Sequence, residues 1–296
     1  MSRFIKAFGA ILVGSWLAAP ALGEPAMWTL SDEDTTINII GTVHVLPENT
    51  DWRSERIDAA FDEADSVCFE LDIVGRALET LGLSYSLGTL KGGDRLVNHL
   101  TDEQEQDLRA MADEFGIPFT SINVMQPWFA SLTIQQYLVE KMGFGEGVEM
   151  SLYPDIESQG KALCEMESPQ EQLGAFAGMS FEDQLDALLY EPEEVKGLSD
   201  EEQFAYAESE LNDLVTDWLA GDVAALSETI DEEAKINEGF HNALLVKRNR
   251  NWIPRIEAML EQEGGNFFIA VGAAHLAGED SVIKMLRDNG HTVKGP

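Results

Sequence analysis

The spacing of apolar residues changes several times along the chain, and each change marks an element. "MWTLSDEDTTINIIG", residues 27–41, reads as strand, acidic turn and strand. In "DWRSERIDAAFDEAD" apolar residues recur at Trp52, Ile57, Ala60, Phe61 and Ala64, a helical spacing. "SVCFELD" alternates and is rich in β-formers, which predicts a strand over Ser66–Leu71. The middle of the chain is helical. Thr101 stands three residues before Gln104, and Ser168 three before Glu171, both capping-box spacings. Gly116, with Pro118 beyond, closes the first of these helices, and Pro127 opens another that runs to about Met142. "GKALCEME" is a short strand, after which acidic helices continue to about residue 230. "FHNALLVKRNRNWIPRIEAMLEQEGG" reads as one long helix bent near Pro254. "NFFIAVGAAH" is a strand and turn, "EDSVIKMLRDNG" a helix ending at Gly290, and "HTV" the start of a last strand.

The two ends share a unit. In "NIIGTVHVLP" an apolar run stops at Gly41 and His44 follows three residues later; in "FIAVGAAHLAGED" Gly272 and His275 repeat the offset. A helix and a strand follow each. Alternating strands and helices predict an α/β sheet. No linker rich in Pro, Gly or Ser separates the ends, so they are expected to share one mixed sheet. It would be built from two degenerate strand–Gly-x-x-His–helix–strand repeats, with the helical middle as an insertion or cap.

Composition changes this picture at the N-terminus. Residues 1–23 carry Arg3 and Lys6, an apolar stretch from Ala7 to Ala19, and the small residues Ala21 and Gly23 at the end. That is the pattern of a secretory signal, and the apolar run is short of the ~20 residues a span needs. The mature chain, residues 24–296, is then expected to be one exported, periplasmic or secreted domain with no membrane span. Its net charge is −37, from 17 Lys and Arg against 54 Asp and Glu, which repels nucleic acid and anionic membranes. The carboxylates are too widely spread to mark a site and read as a solvated acidic surface. The two cysteines, Cys68 and Cys164, lie on predicted strands that end in Glu70 and Glu167. If those strands are neighbours, the Cα atoms fall within the ~4.4–6.8 Å that a disulfide requires; otherwise they are two buried thiols.

Ligands of open α/β sheets sit at the carboxyl ends of the strands. Both Gly-x-x-His turns deliver an imidazole to that edge, and His44 and His275 converge if their strands are neighbours. "CFELD" offers Glu70 and "CEMES" offers Glu167 at other strand ends. Two His with one or two Glu form a nitrogen and oxygen set suited to a divalent transition metal. Each is equally compatible with a structural role: a satisfied histidine after a strand, or a carboxylate in a salt bridge. His99 and His291 read as surface residues, and His241 lies on the helix face that carries Arg248.

The ordered set "IIGTVHVLP", "VCFELD", "GEGVEMSLYPDIESQGK", "EMESPQEQL", "KRNRNW" and "AVGAAHLAGEDSVIKMLRDNGHTV" resembles the TraB/GumN family over nearly the whole mature chain. That family is related to the Tiki metalloproteases and, more distantly, to erythromycin esterases. The resemblance implies two degenerate repeats with an active site at His44, Glu70 and His275. Arg248 and Asn249 match the family's Arg-Asn pair, and Glu167 matches the glutamate of a Leu-Glu-Thr element, here Met-Glu-Ser. Glu149 stands where the family commonly has Asp.

No His-Glu-x-x-His, Gly-x-Ser-x-Gly, Gly-x-Gly-x-x-Gly or P-loop occurs, which excludes a thermolysin-type zinc helix and leaves nucleotide cofactors unsupported. The leading expectation is a metal-dependent hydrolase, a peptidase, using Mn²⁺, Co²⁺ or Zn²⁺. His44 and His275 would be ligands, Glu70 a ligand or the general base, and Arg248, Asn249 and Glu167 would meet a peptide or small-molecule substrate. A metal-free hydrolase with His44 oriented by Glu70 is the close variant. A non-catalytic binder of peptide, haem or metal is the alternative class.

Overall fold

A computed structural model of the chain describes residues 23–261 and 264–296. The expected signal segment, residues 1–23, lies outside the described residues apart from Gly23. β1 (Met27–Ser31) and β2 (Thr35–Thr42) form the antiparallel hairpin, with Met27 opposite Ile40. Asp32 Oδ1 accepts the amides of Asp34 and Thr35 and closes the turn. β3 (Val45–Pro47) leaves the sheet. β4 (Ser66–Phe69), β6 (Ala162–Glu165) and β7 (Gly265–Gly272) rejoin it, and β8 (Val293–Lys294) completes it. The six-stranded order is β6-β4-β7-β2-β1-β8. β6, β4, β7 and β2 run parallel, and β1 is antiparallel to both β2 and β8, so the sheet is mixed. β4 closes the first strand–turn–helix unit and lies beside β7. β8 closes the second and pairs with β1, on the other side of β2.

Alternation along the central strands divides the core into two layers. Ile40, Phe268 and Ala270 face Trp52, Phe61, Leu152 and Trp218 on one side. Ile37, Ile39, Ile269 and Val271 face Trp252, Ile256, Ile283 and Leu286 on the other. Burial on both faces explains why β2 and β7 read as continuous apolar runs. Cys68 and Cys164 stand directly opposite each other on β4 and β6, with Cα atoms 4.3 Å apart, and are disulfide-bonded.

Both capping boxes form: Thr101 with Gln104, and Ser168 with Glu171. The C-terminal helix is divided where the sequence suggests one continuous element. A short helix Glu238–His241 passes through a π-helical segment, Asn242–Val246, into Lys247–Glu261, with Pro254 inside the last part. Among the described residues, no helix is long and apolar enough to cross a membrane.

Candidate active site at the carboxyl edge of the sheet

β2 and β7 pair in register, with Thr42 opposite Gly272, so both turns leave the same sheet edge side by side. β4 lies on the other side of β7 and ends one residue before Glu70. The three side chains meet around Gly272. A Cβ built there would lie 3.0 Å from Glu70 Oε1, 3.6 Å from His275 Cδ2 and 3.7 Å from His44 Nε2. Glycine is therefore favoured by close approach rather than by its dihedrals, since a side chain there would press on the Glu70 carboxylate. The amide of Gly272 also donates to Glu70 Oε1 at 2.7 Å.

Each imidazole is held through Nδ1. Asn249, 1% exposed, donates from Nδ2 to the Asp280 carbonyl at 2.7 Å, and its Oδ1 lies 2.5 Å from His275 Nδ1. A carbonyl can only accept, which sets the amide's orientation and assigns the ring proton of His275 to Nδ1. Nε2 is left with a lone pair, 3.5 Å from Glu70 Oε1. Trp252 packs on the same ring, centroids 4.3 Å apart. His44 Nδ1 lies 2.9 Å from Glu149 Oε1, which also accepts from Thr42 Oγ1 at 2.5 Å. A short ribbon makes this possible: β3 pairs with β5 (Phe144–Glu146), and Val148 N donates to Val43 O. At Gly147 a Cβ would fall 2.2 Å from Val43 O, so only glycine lets the backbones touch and brings Glu149 under His44.

Arg248 binds the carboxylates together from within the fold. Its Nη2 lies 2.5 Å from Glu70 Oε2, Nε lies 3.0 and 3.1 Å from the two Glu167 oxygens, and Nη1 donates to Leu244 O at 2.9 Å. Leu244 belongs to the π segment, so that irregular turn supplies one anchor of the guanidinium. With Nη2 also donating to Glu167, four of the five N–H groups are engaged and one Nη1–H is left over.

Charge follows from this geometry. Burial opposes the ionised form of Glu70, but the charges of His275, Arg248 and His44 and the Gly272 amide hold its carboxyl below the usual range. Burial pushes His275 down to about 3, so it is neutral near pH 7 and Arg248 is the lasting counter-ion of Glu70. His44 is raised to about 9 by the Glu149 carboxylate. Its side chain is 65% exposed, so solvent screens part of that attraction. Glu149 is held low against burial by His44, whereas Glu167 is raised by burial despite Arg248.

These groups open into a pocket of about 320 Å³ lined by His44, Glu70, Arg248, Gly272 and His275, with an apolar wall that includes Leu214, Leu226 and Ile230. The wall comes from helices Asp200–Ala220 and Val223–Ile236, so the helical middle covers the sheet edge. Asn249 and Glu167 line other cavities, behind His275 and beyond Arg248. His241 lies with Asn249, its Nε2 3.3 Å from Asp280 Oδ2. His99 pairs with Asp94 and His291 with Glu257, both away from the pocket. Glu149 is the residue sequence reasoning left without a role. Its only signal was its place in "GEGVEM", since nothing in the spacing links it to His44.

The donor types suit a divalent cation: two imidazole Nε2 atoms and a carboxylate oxygen, with each Nδ1 on an oxygen acceptor. As the side chains stand, no three His, Cys, Asp or Glu among the described residues form a group that could hold a metal ion. To share one, the three donors would have to draw inward.

The sequence model of the TraB/PrgY/gumN family matches residues 26–295. The uncharacterised protein YbaP of Escherichia coli is 23% identical over 254 residues, covering 84% of this chain and 87% of YbaP; the Shigella flexneri protein matches to the same extent. The metalloprotease TIKI2 of Xenopus tropicalis is 41% identical over 56 residues, 19% of this chain and 11% of TIKI2. No solved structure matches the chain.

Proposed function

Since the chain belongs to the TraB/PrgY/gumN family, we propose that it is an exported, metal-dependent hydrolase that cleaves peptide bonds in the pocket between its two Gly-x-x-His turns. One observation carries this reading. Both imidazoles are anchored through Nδ1 on an oxygen acceptor, and the Nε2 atom of each lies beside the same carboxylate-bearing edge. The partial likeness to a metalloprotease supports it. His44 Nε2, His275 Nε2 and Glu70 Oε1 would hold Mn²⁺, Co²⁺ or Zn²⁺, which when bound supplies water activation and carbonyl polarisation.

The chain's own residues do the rest. Glu149 and Asn249 fix the two ring orientations. Arg248 keeps Glu70 ionised, the form in which it serves as a ligand or, where the two imidazoles alone hold the cation, as the general base. With four of its N–H groups engaged, Arg248 has one donor for a substrate oxygen and acts first as a counter-ion. The apolar wall excludes water and receives a substrate side chain. Peptidase rate measured beside metal stoichiometry tests this for wild type, His44→Ala, His275→Ala and Glu70→Gln. Metal content and turnover are expected to fall together in the histidine variants, and Glu70→Gln to lose about 10²–10⁴-fold in rate. Full metal and full activity in both histidine variants would refute the shared site.

A second reading keeps the hydrolase and drops the cation, because His44 is oriented by a carboxylate. His44, its Nδ1 held by Glu149 rather than by Glu70, would then move the proton at Nε2 on the open edge of the pocket. Activity that survives exhaustive chelation selects this reading.

A further inference from the structure

The helix Ala77–Gly88, which follows β4 and the site carboxylate Glu70, is apolar on both faces. Its inner face packs Leu83 and Leu87 against Phe129, Trp128 and Leu173. Its outer face carries Leu78, Leu81 and Tyr85 at 86, 53 and 58% exposure, and Ile73 and Val74 extend the same patch at 43 and 52%. Positions 78, 81, 82 and 85 follow the i, i+3, i+4, i+7 spacing of a helix–helix seam, here turned to solvent. Gly82 sits in its middle with nothing within 4 Å of a built Cβ, which leaves room for close approach. The five residues expose on the order of 500 Å², the size of the largest apolar patch on a typical monomer, which is often a functional surface.

We propose that this face is the contact of a homodimer, with the helices of two copies packed antiparallel across a two-fold axis near Gly82. Charge directs a second copy to this face. The chain carries −35 in total, so two copies repel over most of their surface and also repel anionic lipid. Residues 73–88 hold one Arg and one Glu and are neutral. Just beyond, Lys91 and Arg95 are exposed and bond backbone carbonyls, Ser86 O for Lys91 and Gly93 O and Asp94 O for Arg95. Antiparallel packing brings these cations toward Asp72, five residues before the other helix, whose N-cap residue Arg76 is already paired with Glu79 and Glu165. Two such faces and their rims cover the ~1,000 Å² that a specific interface needs.

Sedimentation equilibrium of the exported protein at 1–100 µM is expected to give twice the chain mass. Leu78→Glu with Leu81→Glu should weaken association by at least about 100-fold with circular dichroism unchanged, because neither side chain is in the core. Lys91→Glu should weaken it by several-fold, and less so at high salt. Among the described residues there is no free cysteine, so Gly82→Cys introduces a lone thiol next to the axis and should cross-link two copies on mild oxidation. A monomer at 100 µM, a dimer that survives Leu78→Glu/Leu81→Glu, or a monomer that floats with phosphatidylcholine vesicles would each overturn the proposal.

Discussion

Replacing Arg248 by Met tests the charge structure of the site without touching His44, His275 or Glu70. Glu70 and Glu167 are 6 and 3% exposed and share this one guanidinium. Removing it leaves two buried carboxylates without their shared cation, with the Gly272 amide, the longer Gln172 contact and the two imidazoles remaining near Glu70. Breaking a buried pair in this way costs about 3–5 kcal/mol. For a domain of this size that corresponds to a fall in Tm of roughly 5–15 °C. The pH dependence carries the sign. In wild type the Glu70 carboxyl is held below its ordinary value, so its contribution is present above the unfolded pKa and lost as pH falls through the folded one. In the variant both carboxyls titrate higher than in wild type, so the penalty is present at pH 7 and disappears as they take up protons. The two stability curves should therefore converge between pH 7 and 4. Urea unfolding across that range measures the difference. Adding Glu167→Gln should recover about half of the loss at pH 7. Arg255→Met, which breaks the half-exposed pair with Glu171, should cost no more than ~1 kcal/mol. A deficit below ~1 kcal/mol at pH 7, or one independent of pH, would show that the cluster is not held by charge.

Four shorter predictions follow from other features. Glu149→Gln should lower the His44 pKa from about 9 toward the ordinary histidine value, read as the ring-proton titration by NMR, because the largest cause of the rise is removed. In wild type, metal uptake measured at pH 6, 7 and 8 should tighten as pH rises, since a cation on His44 Nε2 must displace a proton. Cys68→Ser with Cys164→Ser should lower stability by about 2–5 kcal/mol, because the bridge closes a loop with a sequence separation of 96. N-terminal sequencing of exported protein should begin at or near Glu24, and an intact Met1 in the membrane fraction would refute cleavage.

How much of this was legible depended on the range of the interaction. The capping boxes at Thr101 and Ser168 and the hairpin turn at Asp32 are settled within four residues, so their spacing alone revealed them. β2 and β7 were legible as strands because apolar side chains cover both of their faces. The π segment at Asn242–Val246 was not. Its apolar run fits a continuous helix, and only the position of Leu244 O under Arg248 shows what the irregular turn does.

The two histidines make the same point about the site. Repetition of Gly-x-x-His marked His44 and His275 as equals, and their neighbourhoods make them opposites. His275 sits 3% exposed against Trp252 with the neutral Asn249 on Nδ1, so burial keeps it unprotonated. His44 stands at the open edge with the carboxylate of Glu149 on Nδ1, so charge keeps it protonated until something displaces the proton. The partners responsible are Asn249, 26 residues before His275, and Glu149, brought in by a ribbon of two three-residue strands. Strands that short carry no periodicity, so no pattern of apolar positions could have announced them. A motif repeated in sequence thus locates the edge where the candidate site lies, while the difference between its two imidazoles is written in residues that the motif does not contain.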